Sequence, residues 1–231
     1  GFELAAVIRQ EPQFLSVPVI FLTADPRAST HREALRQEGD AFLEKRESLT
    51  TLVDLIRTKT QRSRLLESSI RRDGLTLLLS HVAFMERLEE ELQAAARRGE
   101  SGTLAMVDID RFKTVNDQYG HATGDEVIRR IAFLLRQRLR TTDIVGRYGG
   151  EEFAVYFPGT GPTEAARVVD DLRRTFAAFV FDAGETRFTC SFSAGLVEVS
   201  CGADRTKALH AADQALYEAK RTGRDRVVVG A

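Results

Sequence analysis

The stretch Arg147-Tyr-Gly-Gly-Glu-Glu-Phe153 constrains this chain more than any other. Thr142-Asp-Ile-Val-Gly146 precedes it and Ala154-Val-Tyr-Phe157 follows, ended by Pro158 and Gly159. Two short apolar runs around a Gly-Gly pair predict a β-hairpin, because glycine reaches the φ > 0 conformations of tight hairpin turns. Glu151 and Glu152 are odd there, since adjacent carboxylates repel and suit strands poorly. Two readings stand: a solvated turn, or a metal site in which Gly149 and Gly150 let a ligand approach the backbone. A second carboxylate-bearing strand end favours the metal. Leu104-Ala-Met-Val-Asp-Ile-Asp110 is an apolar strand ending in Asp108 and Asp110, which as residues two apart share a face. Asp110 also suits a helix N-cap before Arg111-Phe-Lys-Thr-Val-Asn116. Asp108 has no such role, and an unpaired carboxylate in a strand is costly to bury. A Mg²⁺ held by Asp108 and a hairpin glutamate removes that difficulty.

Several motifs in one order then accompany Gly149-Gly-Glu-Glu-Phe153: Asp108-Ile-Asp-Arg-Phe-Lys-Thr-Val-Asn-Asp117, Tyr119-Gly-His-Ala-Thr-Gly-Asp125 and Tyr217-Glu-Ala-Lys-Arg-Thr-Gly-Arg224. Together they resemble the GGDEF family, the diguanylate cyclases, in its GGEEF form, from about Asp73 to the C-terminus. The resemblance implies an α/β fold: a palm-like (ferredoxin-like) antiparallel-rich central sheet of the nucleotidyl-cyclase kind, flanked by helices. It implies an enzyme that condenses two GTP into cyclic di-GMP and two pyrophosphates.

Residue by residue, the resemblance makes Asp108, Glu151 and Glu152 catalytic. Asp108, the Ile109 carbonyl and Glu151 would hold Mg²⁺ (or Mn²⁺), with Glu152 on a second metal. Lys113 would contact phosphate, and Asn116 and Asp125 would read guanine, with helix-cap roles as their plainer alternatives. Gly149 and Gly150 would line the substrate site, His121 would lie at its edge, and Lys220 and Arg224 would bind the triphosphate as two cations one turn apart. Arg140 and Asp143 match an R-x-x-D inhibitory product site, to which Arg167, Arg173 or Arg174 of the next helix would add a cation. One site binds one GTP, so catalysis needs a homodimer. The rival reading is a non-catalytic module that binds GTP or cyclic di-GMP and signals to a partner; the intact glutamates argue against it.

At the start of that domain, Asp73, Leu75, Thr76 and Phe84 fit the family, whereas Leu77, Ser80 and His81 replace its usual Gly, Asn and Arg. An amphipathic helix over 82–98 follows, ended by Gly99 and Gly102 before the Leu104 strand. Further helices are expected over 112–118, 125–140, 163–176 and 207–221, a strand within 187–199, and a closing strand at Val227-Val-Val229.

Residues 1–60 read as an α-β-α-β-α unit: helical spacing near Phe2, a buried parallel strand at Val17-Pro-Val-Ile-Phe-Leu-Thr23, a helix over 29–39, a strand at Ala41-Phe-Leu43 and a helix from Leu49. This resembles the second half of a response-regulator receiver domain, a partial flavodoxin-like fold, with Thr23 and Lys45 at its switch positions. The family's phosphorylatable Asp would lie before Gly1, and Arg46 stands where the family has Pro. Residues 61–72 read as a linker helix, within a seam of Leu52, Ile56, Leu66 and Ile70 near the coiled-coil period, and 73–231 as the cyclase domain.

Composition adds exclusions. With 33 basic and 34 acidic residues, nothing points to nucleic acid. Cys190 and Cys201 form no disulfide framework, no apolar stretch is long enough for a membrane span, and no signal peptide is visible, so a cytoplasmic protein is expected. The start at Gly1 without methionine suggests a fragment or a processed chain.

Overall fold

The computed structural model describes residues 4–5, 7–8, 17–24, 41–45, 48–184 and 186–230, and of residues 23, 42 and 61–70 the backbone only. The chain divides into two compact units, Gly1–Ser69 and Ile70–Ala231.

In the first unit, strands β1 (Ile20–Thr23) and β2 (Ala41–Glu44) pair in parallel, as the uninterrupted apolar run predicts. Lys45 is an exposed turn residue directly after β2. The helix expected over 29–39 lies outside the described residues. Helix α1 runs unbroken from Leu49 to Arg71 across the unit boundary. Of its expected seam, Leu52 is half-buried and Ile56 exposed, while the Leu66 and Ile70 side chains lie outside the described residues. No helix among the described residues is long and apolar enough to cross a membrane.

The second unit is built on a five-stranded sheet in the order β4-β5-β3-β8-β9. Its strands are β3 (Gly102–Ile109), β4 (Ile144–Arg147), β5 (Glu152–Pro158), β8 (Phe192–Val199) and β9 (Val227–Val229). All neighbours are antiparallel except β8 and β9. A separate hairpin joins β6 (Val180–Ala183) to β7 (Thr186–Thr189). The single strand expected within 187–199 is thus two, broken at Cys190 and Ser191.

Strand alternation sorts the sheet into two faces. Ala105, Val107 and Ile109 of β3, with Phe153 and Val155, pack against α3 (Phe112–Tyr119), α4 (His121–Arg138) and α5 (Pro162–Ala177). Leu104 and Met106, with Ala154 and Tyr156, pack against α2 (His81–Arg98) and α6 (Arg205–Arg221). Every residue of β3 is buried, so this strand is the axis of the domain. Two glycines let the helices close onto the second face. A Cβ at Gly195 would strike the α6 backbone, and one at Gly146 would lie 2.7 Å from Phe84 Cβ.

Local chemistry sets the helix ends. Ser80 caps α2 by accepting from the Ala83 N–H, so the serine in place of the usual asparagine keeps the capping role. Gly99 ends α2 at φ +69°. Leu77, where the family has glycine, keeps the left-handed conformation at φ +61°, with Arg72 Nη1 donating to its carbonyl at 2.7 Å.

Candidate functional site at the sheet edge

The site forms where β3 ends beside the β4–β5 hairpin. Asp108 lies on the α2/α6 face, directly across from Glu152 on one side and Ser193 on the other. The Glu151 carbonyl accepts from the Ile109 N–H at 3.3 Å, so the second glutamate is held to the same strand end. Lys220 reaches down from α6 and places its Nζ 2.7 Å from Asp108 Oδ2. Burial pushes the Asp108 carboxyl up to about 6; Lys220 opposes this, and Glu151 and Glu152 add to it. Asp108 thus pairs with one ammonium and feels the charge of both glutamates, oxygen groups of the kind that suit a hard divalent cation. Among the described residues no group of three or more acidic, histidine or cysteine side chains is arranged to hold a metal ion.

The hairpin glycines work differently from expectation. Neither Gly149 nor Gly150 has positive φ. A Cβ at Gly149 would meet the Glu152 carboxylate, so a side chain there would push that carboxylate aside. Gly150 faces open space, with nothing within 4 Å of a Cβ placed there. Arg147 fixes the turn: its Nε and Nη2 donate to the Gly150 carbonyl at 3.0 and 2.6 Å, and Nη1 donates to both Asp73 oxygens at 3.2 and 3.0 Å. Asp73 also accepts from the Thr76 N–H and hydroxyl. Sequence reasoning left Arg147 without a role; its guanidinium partners lie 74 residues upstream and in the turn itself. His81 packs edge-on against Tyr148, with ring centroids 4.5 Å apart.

Helices α3 and α4 carry the expected base-reading residues. Asn116 and Asp125 are neither C-cap nor N-cap: α3 ends at Tyr119 with Gly120 as its C-cap, and α4 begins at His121, four residues earlier than the sequence suggests. Gly120, at φ +83°, makes that sharp join. Asn116 Oδ1 is buried without a hydrogen-bond partner against Gly124, where a Cβ would overlap it. That contact brings Asn116 alongside the first turn of α4 and Asp125, which is half-exposed and 4.0 Å from Arg129. Lys113 and His121 are exposed.

Arg224 lies beyond α6, as the helix expected over 207–221 requires. The helix ends at Arg221, and Arg224 sits in the following turn at φ +62°, its N–H donating to the Ala219 carbonyl. Arg140 and Asp143 meet through the backbone: Asp143 accepts from the Arg140 N–H at 2.8 Å, and the Arg140 guanidinium bonds Glu164 at 3.2 Å. Burial raises the Asp143 carboxyl above its usual range, opposed by the Arg140 N–H. Of the three arginines on α5, Arg173 is committed to Asp170 and Asp225. Arg174 lines an open cleft of about 440 Å³ with Arg138.

Asp110 does not cap α3, whose N-cap is Arg111 at φ 54°. Its carboxylate is instead bound by Ser191, Ser193 and the Asp225 N–H.

Comparison with known proteins agrees with this architecture. Residues 70–226 match the family described as diguanylate cyclase, GGDEF domain. The chain belongs to that family. It is 43% identical over 159 residues to the diguanylate cyclase DgcP of Pseudomonas aeruginosa, covering 68% of this chain and 23% of DgcP. It is 29% identical over 241 residues to the response regulator PleD of Caulobacter vibrioides, covering 99% of this chain and 53% of PleD. The chain therefore spans between about a quarter and a half of the length of these relatives. Among solved structures, the coiled coil and GGDEF domain of Caulobacter crescentus DgcB, in complex with c-di-GMP, matches with a TM-score of 0.72 and 30% identity over 80% of this chain and 100% of that one.

Proposed function

We propose that this GGDEF domain condenses two GTP into cyclic di-GMP with release of two pyrophosphates. The observation that carries the reading is the row Glu152–Asp108 on one sheet face with Lys220 above it, in a domain of this family. Asp108, the Ile109 carbonyl and Glu151, with Glu152 on a second ion, would hold Mg²⁺ or Mn²⁺. Bound there, the divalent ions supply charge neutralisation at the α-phosphate and acidify the attacking hydroxyl. Each 3′-oxygen bonds the α-phosphorus of the other GTP, the bond to the β-phosphate oxygen breaks, and pyrophosphate leaves. The hydroxyl proton passes to Glu151. Gly150 leaves the turn open to the nucleotide, Lys113, Lys220 and Arg224 neutralise its phosphates, and His121 borders it. Asn116 and Asp125 select guanine, since a carboxylate accepts from both N1–H and the exocyclic amine, a pair adenine lacks.

Each domain binds one GTP, so two domains face each other in a homodimer. Cyclic di-GMP also binds at Arg140 and Asp143 and slows turnover; the c-di-GMP complex of DgcB supports a product-binding surface on this fold. Residues 1–60 are part of a receiver, supported by the parallel β1–β2 pair and the match to PleD over nearly the whole chain. Residues 61–72 link it to the cyclase domain at 73–231, and the protein works in the bacterial cytoplasm.

The test is GTP turnover with Mg²⁺ across protein concentrations, with the product separated by chromatography. Cyclic di-GMP formed at a rate rising faster than linearly supports the reading. Tight cyclic di-GMP binding without turnover, persisting in a forced-dimer fusion, overturns it in favour of a non-catalytic signalling module.

A further inference from the structure

Asp110 is a buried carboxylate that the proposed reaction does not use. It follows β3 directly, two residues past Asp108, and is 7% exposed. Its Oδ1 accepts from Ser193 Oγ at 2.7 Å. Its Oδ2 accepts from Ser191 Oγ at 2.7 Å and from the Asp225 N–H at 3.0 Å. Ser191 lies just before β8 and Ser193 within it, and Asp225 belongs to the loop between α6 and β9 that also carries Arg224. From the other side, Arg173 Nη1 bonds Asp225 Oδ1 at 2.6 Å, and Arg173 Nε bonds Asp170 at 2.7 Å. One carboxylate thus ties together two strand ends and a loop.

The loop needs such a tie. Arg111, Arg224 and Asp225 adopt left-handed φ values of 54°, 62° and 47°, and all three border one cleft of about 350 Å³ together with Asp110. L-residues hold that conformation only where their surroundings over-determine it. Asp110 supplies the fixing bond at Asp225, next to Arg224 in sequence.

We propose that Asp110 is a positioning residue: it locks the β3 end that carries Asp108 to the loop that carries Arg224, keeping the metal-side carboxylate and the phosphate-side cation at a fixed spacing. Its three bonds go to Ser191, Ser193 and the Asp225 N–H, and in this role it touches neither metal nor nucleotide. The role assigned to Arg224 rests on the proposed function, so the test does not depend on turnover.

Asp110→Asn preserves the network. Its carbonyl oxygen takes the Asp225 N–H and Ser191, and its amide donates to the Ser193 hydroxyl, which can accept. Asp110→Ala removes every bond. Two readouts are taken on the full chain: amide exchange of residues 223–226, and calorimetric affinity for 3′-deoxy-GTP, which lacks the attacking hydroxyl, with Mg²⁺. For Asp110→Ala we expect about tenfold faster loop exchange and about tenfold weaker binding, with Asp110→Asn within about threefold of the parent in both. Asp110→Asn as damaging to binding as Asp110→Ala, with its loop still protected, would make Asp110 a direct ligand and overturn the proposal. An unprotected loop with unchanged binding in Asp110→Ala would reduce it to fold support and overturn it too. Should Asp110→Ala not fold, Ser191→Ala/Ser193→Ala strips two of the three donors and carries the same expectation at smaller size. A parent chain that makes no cyclic di-GMP overturns the proposed function, whereas the exchange result stands apart from it.

Discussion

Asp108 sits where burial and charge disagree. Its folded pKa of about 6 lies above its ordinary value of 3.8, chiefly through desolvation. A carboxyl raised in the folded state favours folding below its unfolded pKa and loses that contribution as pH rises through the folded value. The metal-free protein is therefore penalised above about pH 6. Asp108→Asn in EDTA should melt a few degrees higher than the parent at pH 7.5, with the gap closing towards pH 4; an equal gap at both pH values would sink this account. Glu152 stands directly across from Asp108 on the neighbouring strand. Glu152→Gln should lower turnover at least about 100-fold while GTP still binds. Near-normal turnover would remove Glu152 from the metal site. Asp108 and Glu152 were legible in the sequence because strand alternation and local spacing placed them. Asp110 was not, because its partners at 191, 193 and 225 are remote in sequence.

At the scale of elements, the hairpin turn is held by Arg147 rather than by glycine backbone freedom. Its guanidinium and the Asp73 carboxylate are mostly buried, at 17% and 21% exposure, so the pair is shielded more than a surface ion pair. Arg147→Ala should cost stability of about 1–3 kcal/mol and lower kcat roughly tenfold, by leaving the Gly150 carbonyl and Asp73 without their partner. Melting curves and GTP turnover on the same preparation check both halves. Gly124→Ala makes a sharper test of the α3–α4 join. The new methyl group would displace the Asn116 amide, so KM for GTP should rise about tenfold with the melting temperature little changed. Unaltered KM would separate Asn116 from base recognition. The sheet strands, most helices and the end of α6 at Arg221 follow from apolar periodicity, whereas the α4 start does not. A positive φ at Gly120 lets one helix begin as another ends, and Arg224 leaves the helix through a left-handed turn that no periodicity signals. The break between β7 and β8 was equally hidden, since both are rich in strand-forming residues.

For the whole molecule, the proposed reaction turns on the meeting of two domains. Along α1, Leu49, Val53 and Ile56 are 76%, 44% and 45% exposed at 4-3 spacing, the stripe a second helix covers in a coiled coil. The stripe shares Ile56 with the seam expected from the sequence, whose Leu52 is half-buried and whose Leu66 and Ile70 side chains lie outside the described residues. A dimer through this stripe makes the second GTP-loaded domain an intramolecular partner at an effective concentration of about millimolar. Val53→Lys/Ile56→Lys should therefore move the faster-than-linear rise of the rate to much higher protein concentrations, because pairing then rests on the cyclase domains alone. Sedimentation should show the same variant as a monomer, with GTP affinity per domain unchanged. If the double variant stays dimeric and keeps its rate at the lowest concentrations, the pairing lies in the cyclase domain itself, and α1 is a connector rather than the dimer stalk.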